Sequence, residues 1–387
     1  MKRINSYWTI ILLMIAGCGG GKQSKETIVT VDVTANYPKK ELILQDFMKV
    51  EYIPLETSRD FLCQGIVKAI SKDVIIVMNR VRDGDIFIFD RNGKGLRKIN
   101  RMGKGGEEYT DVSDIILDEN NNEMFITDFS AKKIMVYDLY GKFIRSFQQY
   151  REDVNYRSIN NFDSESLICF VDYYSDSKKD VPSFIIISKQ DGSIIKDIQI
   201  SFEQKKSTSI IQIEDRSIHV MVILHFPLKS YNDSWILAEP SSDTLFRYLP
   251  DHSMIPFMVR KPPIQSMNPE VFLSPGMLTE RYYFMKTEKK EFDFATGKGL
   301  PKKYLMYDRQ EKTIYEYTVY NDDYSDKITV DVFQSTVNNE IAFCQKLEAD
   351  ELVEAYEKGQ LKGKLKEIAE NLKEEDNPVI MLVKHKK

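Results

Sequence analysis

Four short apolar runs, separated by polar turns, recur about every fifty residues, and this period constrains the fold more than any single motif. The first set is Ile66 to Ile70, Val74 to Met78, Ile86 to Phe89 and Leu96 to Ile99, with turns at Ser71 to Asp73, Arg80 to Asp85 and Arg91 to Lys94. The second set repeats the order with Asp114 to Leu117, Met124 to Asp128, Ile134 to Tyr137 and Phe143 to Phe147. Short β-branched and aromatic runs with this punctuation read as strands. The turn between third and fourth strands can be followed through Gly93, Gly141, Gly192, His252 and Glu311, in steps of 48, 51, 60 and 59 residues. One twisted four-stranded sheet cannot bury both of its faces, so such units must stack on one another. A closed ring of them, a β-propeller, does so while leaving only short edges. The mean step sets six blades for a chain of 387 residues.

The last unit is irregular. Ile328 to Phe333, Glu340 to Gln345 and Val379 to Val383 read as strands, and between them Leu361, Leu365, Ile368, Ala369 and Leu372 fall on one helix face. This predicts a helical insertion at about 346–373, with Gln360 to Leu372 helical. Ile28 to Val33 is a spare strand, expected to complete a terminal blade. The expected fold class is therefore all-β: a six-bladed β-propeller with four-stranded blades over residues 28–387.

Ahead of the repeats, Lys2 and Arg3 precede an apolar run from Tyr7 to Ala16 that ends in Gly17-Cys18. The run is half the roughly twenty residues a permanent bilayer span needs, so residues 1–17 read as a cleaved signal peptide. A small residue before a Cys at this place resembles the lipobox of bacterial lipoproteins, which implies acylation of Cys18 and a flexible tether over 18–27. Cys63, Cys169 and Cys344 remain, an odd number in apolar surroundings, and are expected to be buried free thiols. Lys plus Arg is 54 against 59 Asp plus Glu, a net charge of −5 mixed along the chain. That balance argues against nucleic acid as a partner.

Val50-Glu-Tyr-Ile-Pro-Leu-Glu56, Phe89-Asp90 with Gly93-Lys94, the loop Gly103-Lys-Gly-Gly-Glu-Glu-Tyr109 and Asp376-Asn-Pro-Val-Ile380 together resemble the six-bladed propeller lipoproteins of Bacteroidota, related in shape to NHL and TolB-like propellers. The loop departs from the usual Gly-x-Gly-Pro-Gly-Glu-Tyr at Gly106 and Glu107. The resemblance implies a propeller lipid-anchored at the outer membrane, on its periplasmic or its external face, with no catalytic residues to transfer.

The motifs that could carry chemistry fall short. Gly103 to Gly106 lacks the spacing of a phosphate loop, and Asp118 to Asn122 has Glu123 where a calcium loop turns on Gly. The Ser-x-x-Lys matches at Ser130 and Ser175 have no supporting motifs. His219 and His225, six apart, would share a face of one continuous strand, yet no metal-binding pattern surrounds them. No metal or cofactor is expected. A functional surface is expected instead on the loops between second and third strands and between blades, at one mouth of the channel. It comprises Arg80, Arg82, Asp83, Lys104, Glu108, Tyr109, Lys132, Tyr173 and Tyr174, with Tyr231 and Asn232 beside them. Planar donors next to aromatic rings suit sugars or peptides. The leading expectation is a non-catalytic module that binds a glycan, a peptide or an envelope protein. The competing one is a propeller enzyme, a lactonase-like hydrolase or a lyase, using His219, His225, Asp83 or Glu108 around a divalent ion.

Overall fold

In the computed structural model, the described residues are 28–79, 83–149, 155–172, 181–214, 217–223, 225–334 and 337–386. Blade 1 is an antiparallel meander of Ile66–Ile70, Val74–Met78, Asp85–Asp90 and Gly95–Asn100, paired in sequence order. Blade 2 (Val112–Asp118, Glu123–Asp128, Lys133–Asp138, Phe143–Gln148) and blade 3 (Asn155–Asn161, Ser166–Asp172, Phe184–Ser188, Ile194–Ile198) repeat it. Every expected strand of the first two blades falls within an observed one. Central strands such as Val74–Met78 are buried along their whole length, because each blade packs a neighbour on both faces.

Blade 4 (Leu228–Tyr231, Ser234–Leu237, Thr244–Tyr248, Met254–Lys261) and blade 5 (Val271–Leu278, Tyr282–Lys289, Lys302–Asp308, Thr313–Asn321) keep the four-stranded meander but gain an outer strand. Val29–Asp32 pairs parallel with Met254–Lys261, and Lys39–Ile43 pairs parallel with Thr313–Asn321. After the short helix α1 (Leu44–Phe47), Met48–Pro54 pairs antiparallel with Val379–His385, which in turn pairs with Ile341–Leu347. Of the strand Ile328 to Phe333 expected in the sixth blade, Ile328–Thr329 pairs with Thr313–Asn321 of blade 5, and residues 330–334, with Val332 and Phe333 buried, lie in no strand. The N-terminal segment is thus a strap across the outside of blades 4 and 5 that ends as the outer strand of blade 6. The spare strand at Val29–Asp32 edges blade 4, and ring closure belongs to Met48–Pro54. A parallel partner needs no hairpin, so no turn signal near residue 33 could reveal it.

The expected single helix is two, α2 (Ala349–Glu357) and α3 (Gly363–Ala369), inserted between Ile341–Leu347 and Val379–His385 of blade 6. Gly359, at φ +69°, and Gly363, at φ +50°, lie between α2 and the body of α3. The apolar positions still work as foreseen: Leu361, Leu365 and Ala369 are buried against Met48, Tyr52, Phe284 and Tyr317.

Six buried apolar clusters hold the ring, one at each junction between neighbouring blades. The closing one packs Ile53, Ile380 and Leu382 of blade 6 on Ile75, Val77, Phe87 and Phe89 of blade 1. Gly93 shows how tight this closure is: at φ +84° it lies where a Cβ would stand 2.0 Å from the Pro54 carbonyl oxygen, a conformation and an approach that only glycine tolerates. Asn377 is the other fastener. Its Oδ1 accepts from Cys63 N at 2.9 Å, and its Nδ2 donates to the carbonyls of Glu56, at 2.7 Å, and Phe61.

Candidate functional site

The first strands of the blades surround a cavity of about 800 Å³ on the ring axis, within the range of roughly 300–1,000 Å³ typical of ligand sites. Blades 1 to 4 supply Val67–Ile70, Asp114–Leu117, Ser158–Phe162 and, in blade 4, Leu228, Ser230 and Asp233–Trp235. None of the described residues of blade 5 lines it. Gln334 and Val337–Asn339, leading into blade 6, stand there instead.

The wall is built from groups that bridge blades. Lys68 Nζ donates to Ser113 O at 2.8 Å and lies 3.7 Å from Asp114 Oδ1, tying blade 1 to blade 2. Enclosure by the surrounding strands lifts the Asp114 carboxyl above its ordinary value, with the Lys68 ammonium opposing. Asn161 donates to Leu117 O at 2.8 Å, Asn338 to Ile70 O at 3.2 Å and Asn339 to Asp233 Oδ1 at 2.8 Å. The Asn161 side-chain oxygen is buried away from the cavity surface, with no hydrogen-bond donor among the described residues. The half-buried Trp235 adds an aromatic surface, and Phe162 stacks on His252 at 5.5 Å while His252 Nδ1 meets Tyr248 Oη at 2.9 Å. Asn160 and Asn161 lie on the first strand of blade 3, Phe162 in the turn after it and Trp235 at the start of the second strand of blade 4, positions that alternation does not single out. Sequence reasoning therefore missed Trp235, Phe162 and the four asparagines Asn160, Asn161, Asn338 and Asn339.

The expected loop face holds a smaller cavity of about 290 Å³, lined by Ile66, Lys68, Asn79, Gly84 and Met102 among others. Asp83 is beside it and accepts from Asn79 Nδ2 at 2.8 Å. Lys104 is exposed and Lys132 half-buried in the turns foreseen for them. Glu108 folds back onto its own loop, accepting from Gly105 N at 2.8 Å. Tyr109 is corrected: it is fully buried, its hydroxyl donating to Gly84 O at 2.7 Å and accepting from Arg101 N at 2.9 Å. It is a core anchor between blades 1 and 2. Tyr231 is likewise buried, and Asn232 sits in the first turn of blade 4, on the other face of the ring. Arg80, Arg82, Tyr173 and Tyr174 lie outside the described residues.

The histidines and thiols have separate surroundings. His219 is exposed on the strand Ser217–Val222 with its ring 6.0 Å from Phe294, whereas His225 lies in the following connection, 5.8 Å from Phe170. Cys63 and Cys169 are buried, while Cys344 is only half-buried and lines the large cavity. Burial pushes the Cys63 thiol up to about 11, Cys344 up to about 12 and Cys169 further, so all three remain protonated and poorly nucleophilic at neutral pH. Among the described residues no group of three His, Cys, Asp or Glu side chains could hold a metal ion, and no helix is long and apolar enough to cross a membrane.

The family described as Domain of unknown function (DUF4934) matches residues 28–384, from the first strand of the strap to the last strand of blade 6. The chain belongs to the DUF4934 family. Among solved structures, this DUF4934 chain is similar to a Bacteroides fragilis protein inferred to be exported, at 15% identity and a TM-score of 0.59, covering 93% of this chain and 100% of that one. A member of the DUF4221 family from Bacteroides vulgatus matches at 12% identity and a TM-score of 0.45, covering 72% and 90%. Virginiamycin B lyase from Staphylococcus aureus matches at 14% and 0.34, covering 70% and 88%. Among curated proteins none matches the chain.

Proposed function

We propose that this protein is a non-catalytic binding module of the bacterial cell envelope, held to the outer membrane by acylated Cys18, that takes an uncharged polar ligand, a glycan or a peptide, into the axial cavity. The observation that carries the reading is the wall itself: an aromatic plane at Trp235 and the amide side chains of Asn160, Asn161, Asn338 and Asn339 line one space of about 800 Å³. Rings supply stacking area and fixed amide groups supply direction, the combination that recognises hydroxyl- and amide-rich ligands. Membership of a family whose relative in shape is inferred to be exported supports the envelope, and the sequence Ala16-Gly17-Cys18 supports the anchor. The loop face with Lys104 and Lys132 is left for a partner protein.

Binding to glycan and peptide arrays tests the cavity. Trp235→Ala should weaken capture about thirty-fold, the ~2 kcal/mol of a buried aromatic anchor, and Asn161→Ala should weaken it less, while Lys104→Ala leaves it unchanged. Equal capture by wild type and Trp235→Ala would remove the cavity from the proposal. Labelling with a palmitate analogue tests the anchor: wild type should be marked and Cys18→Ala should not.

A further inference from the structure

Ser209–Glu214 and Ser217–Val222, in the connection between blades 3 and 4, form a two-stranded hairpin that joins no other sheet. The register sets Ser209 opposite Val222, Ile211 opposite Val220 and Ile213 opposite Ile218. By the alternation of a strand these six side chains share one face. Five of them are aliphatic, with exposures of 60% for Ile211, 72% for Ile213, 69% for Ile218, 52% for Val220 and 54% for Val222. Among the described residues no charged side chain interrupts the face. The opposite face carries His219, against Phe294. An isolated hairpin is marginal in water, and an uncovered aliphatic face on one marks a surface made to be covered.

Two observations choose the cover. The hairpin base is fixed to blade 4 and its exit: Lys206 N donates to Ser241 Oγ at 2.8 Å, Gln265 donates to Gln204 O at 2.8 Å, and Ile223 is buried with Ile264 and Phe272. The first described strand, Val29–Asp32, edges the same blade, with Val33 N bonded to Lys261 O at 2.9 Å, just ahead of Ile264 and Gln265. Nine residues separate Cys18 from Ile28, so the ten steps of chain reach about 35 Å at full extension. An acylated Cys18 therefore keeps a bilayer within range of the hairpin. The area points the same way, since five aliphatic side chains make a patch of a few hundred Å², short of the ~800 Å² per partner of a stable protein interface. A bilayer accepts an uncharged aliphatic face without shape complementarity. The free strand edges must stay hydrated, which limits the hairpin to a shallow position at the headgroup boundary, roughly 5–10 Å deep.

We propose that the Ile211, Ile213, Ile218, Val220 and Val222 face lies in the surface of the membrane that holds the anchor and fixes the orientation of the propeller upon it. The proposal rests on acylation at Cys18. Full-length acylated protein is reconstituted in phosphatidylethanolamine–phosphatidylglycerol vesicles whose lipids carry bromine near the top of the acyl chains. Over the Trp235 background, Ile213→Trp should lose about half of its emission to the bromolipid, and Tyr140→Trp, in a blade 2 turn, should lose none. Failure of palmitate labelling would overturn the anchor. A labelled protein in which Ile213→Trp is quenched no more than Tyr140→Trp would overturn the hairpin proposal. So would a lipid-free dimer abolished by Ile211→Asp with Ile218→Asp, which would make a second copy the cover.

Discussion

In blades 1 to 3 each strand pairs with the next in sequence and nothing is added, whereas blades 4 to 6 are bound from outside by residues 29–54. Two buried lysines, one in each half, also differ. Lys189, in the outer turn of blade 3, is almost wholly enclosed and meets Asp118 of blade 2 at 2.8 Å and Asp163 O at 2.8 Å. Lys229, in the first strand of blade 4, is as deeply buried, but its ammonium donates to the Gln334 carbonyl and lies 4.4 Å from the centre of the Phe226 ring. Burial alone pulls Lys229 down to about 7. Burial works against ionisation of Asp118 too, yet the hydrogen bonds from Lys189 and Asn121 outweigh it and hold that carboxyl below its ordinary value. Buried pairs occur in the strapped half too, as between Lys286 and Glu288 at 2.5 Å, so the contrast belongs to these two lysines: Lys189 has a carboxylate and Lys229 a carbonyl and a ring.

If closure does carry the strapped half, Asn377→Ala has the largest effect. It leaves Cys63 N–H and the Glu56 and Phe61 carbonyls without their partner, at about 1–3 kcal/mol for each buried group. Thermal unfolding should register a loss of at least ~3 kcal/mol. Hydrogen exchange should accelerate in Val379–His385 and Asp85–Asp90 but not in Phe184–Ser188, and uniform acceleration would erase the distinction between the halves.

The two lysines should respond with opposite sign. Lys189→Met strands the Asp118 carboxylate and should cost about 3–5 kcal/mol, whereas Lys229→Met removes a charge without a carboxylate and should gain about 1–4 kcal/mol at pH 7. The pH profile sharpens this. Because folded Lys229 binds its proton less tightly than an unfolded lysine near 10.4, wild-type stability should rise between about pH 7 and 10, and Lys229→Met should lose that rise. Asp118 acts at the acid end: the stabilisation from its lowered value is complete above about pH 4 and is lost as pH falls further, an arm that Asp118→Asn flattens.

Gly93→Ala, which drives a Cβ towards Pro54 O, should cost about 2 kcal/mol, while Gly106→Ala, with nothing within 4 Å of the added carbon, should change stability by less than about 0.5 kcal/mol. The smallest effect belongs to the strap's ion pair, Lys40 to Asp308 at 3.2 Å and Glu311 at 2.7 Å. Its ammonium is partly solvated, so Lys40→Met should cost about 0.5–1 kcal/mol by chemical denaturation. A larger loss would mean that the strap is held by charge rather than by its ladders.

The same division governs what could be read in advance. Gly93, Gly141 and Gly192 mark hairpin turns at positive φ, a local demand that leaves a local trace, so blades 1 and 2 were legible almost to the residue and blade 3 by its outer turn. The strap was legible only as a strand at Ile28 to Val33: parallel pairing with blades 4 and 5 leaves no mark of the partner near residues 29–43. The motifs Val50 to Glu56 and Asp376 to Ile380, which carried the family resemblance, prove to be the two sides of the closure, joined by Asn377. The candidate site was legible only as a ring with an axis. Tyr109 looked like a loop aromatic because its burial comes from Gly84, on a different turn. Trp235 and Asn161 looked like ordinary strand residues because their meaning depends on four blades converging.

Closure also orders events in time. Met48 pairs with His385 and Pro54 with Val379, so a strand among the earliest to leave the ribosome waits for the last to arrive. Until then Met48, Tyr52 and Ile53 have no ladder, and their apolar side chains stay available to anything that binds extended chain. Assembly is paced by a contact spanning almost the whole length, the arrangement that folds slowest. The feature that locks the finished ring therefore leaves the nascent one with apolar edges exposed until its last strand is made.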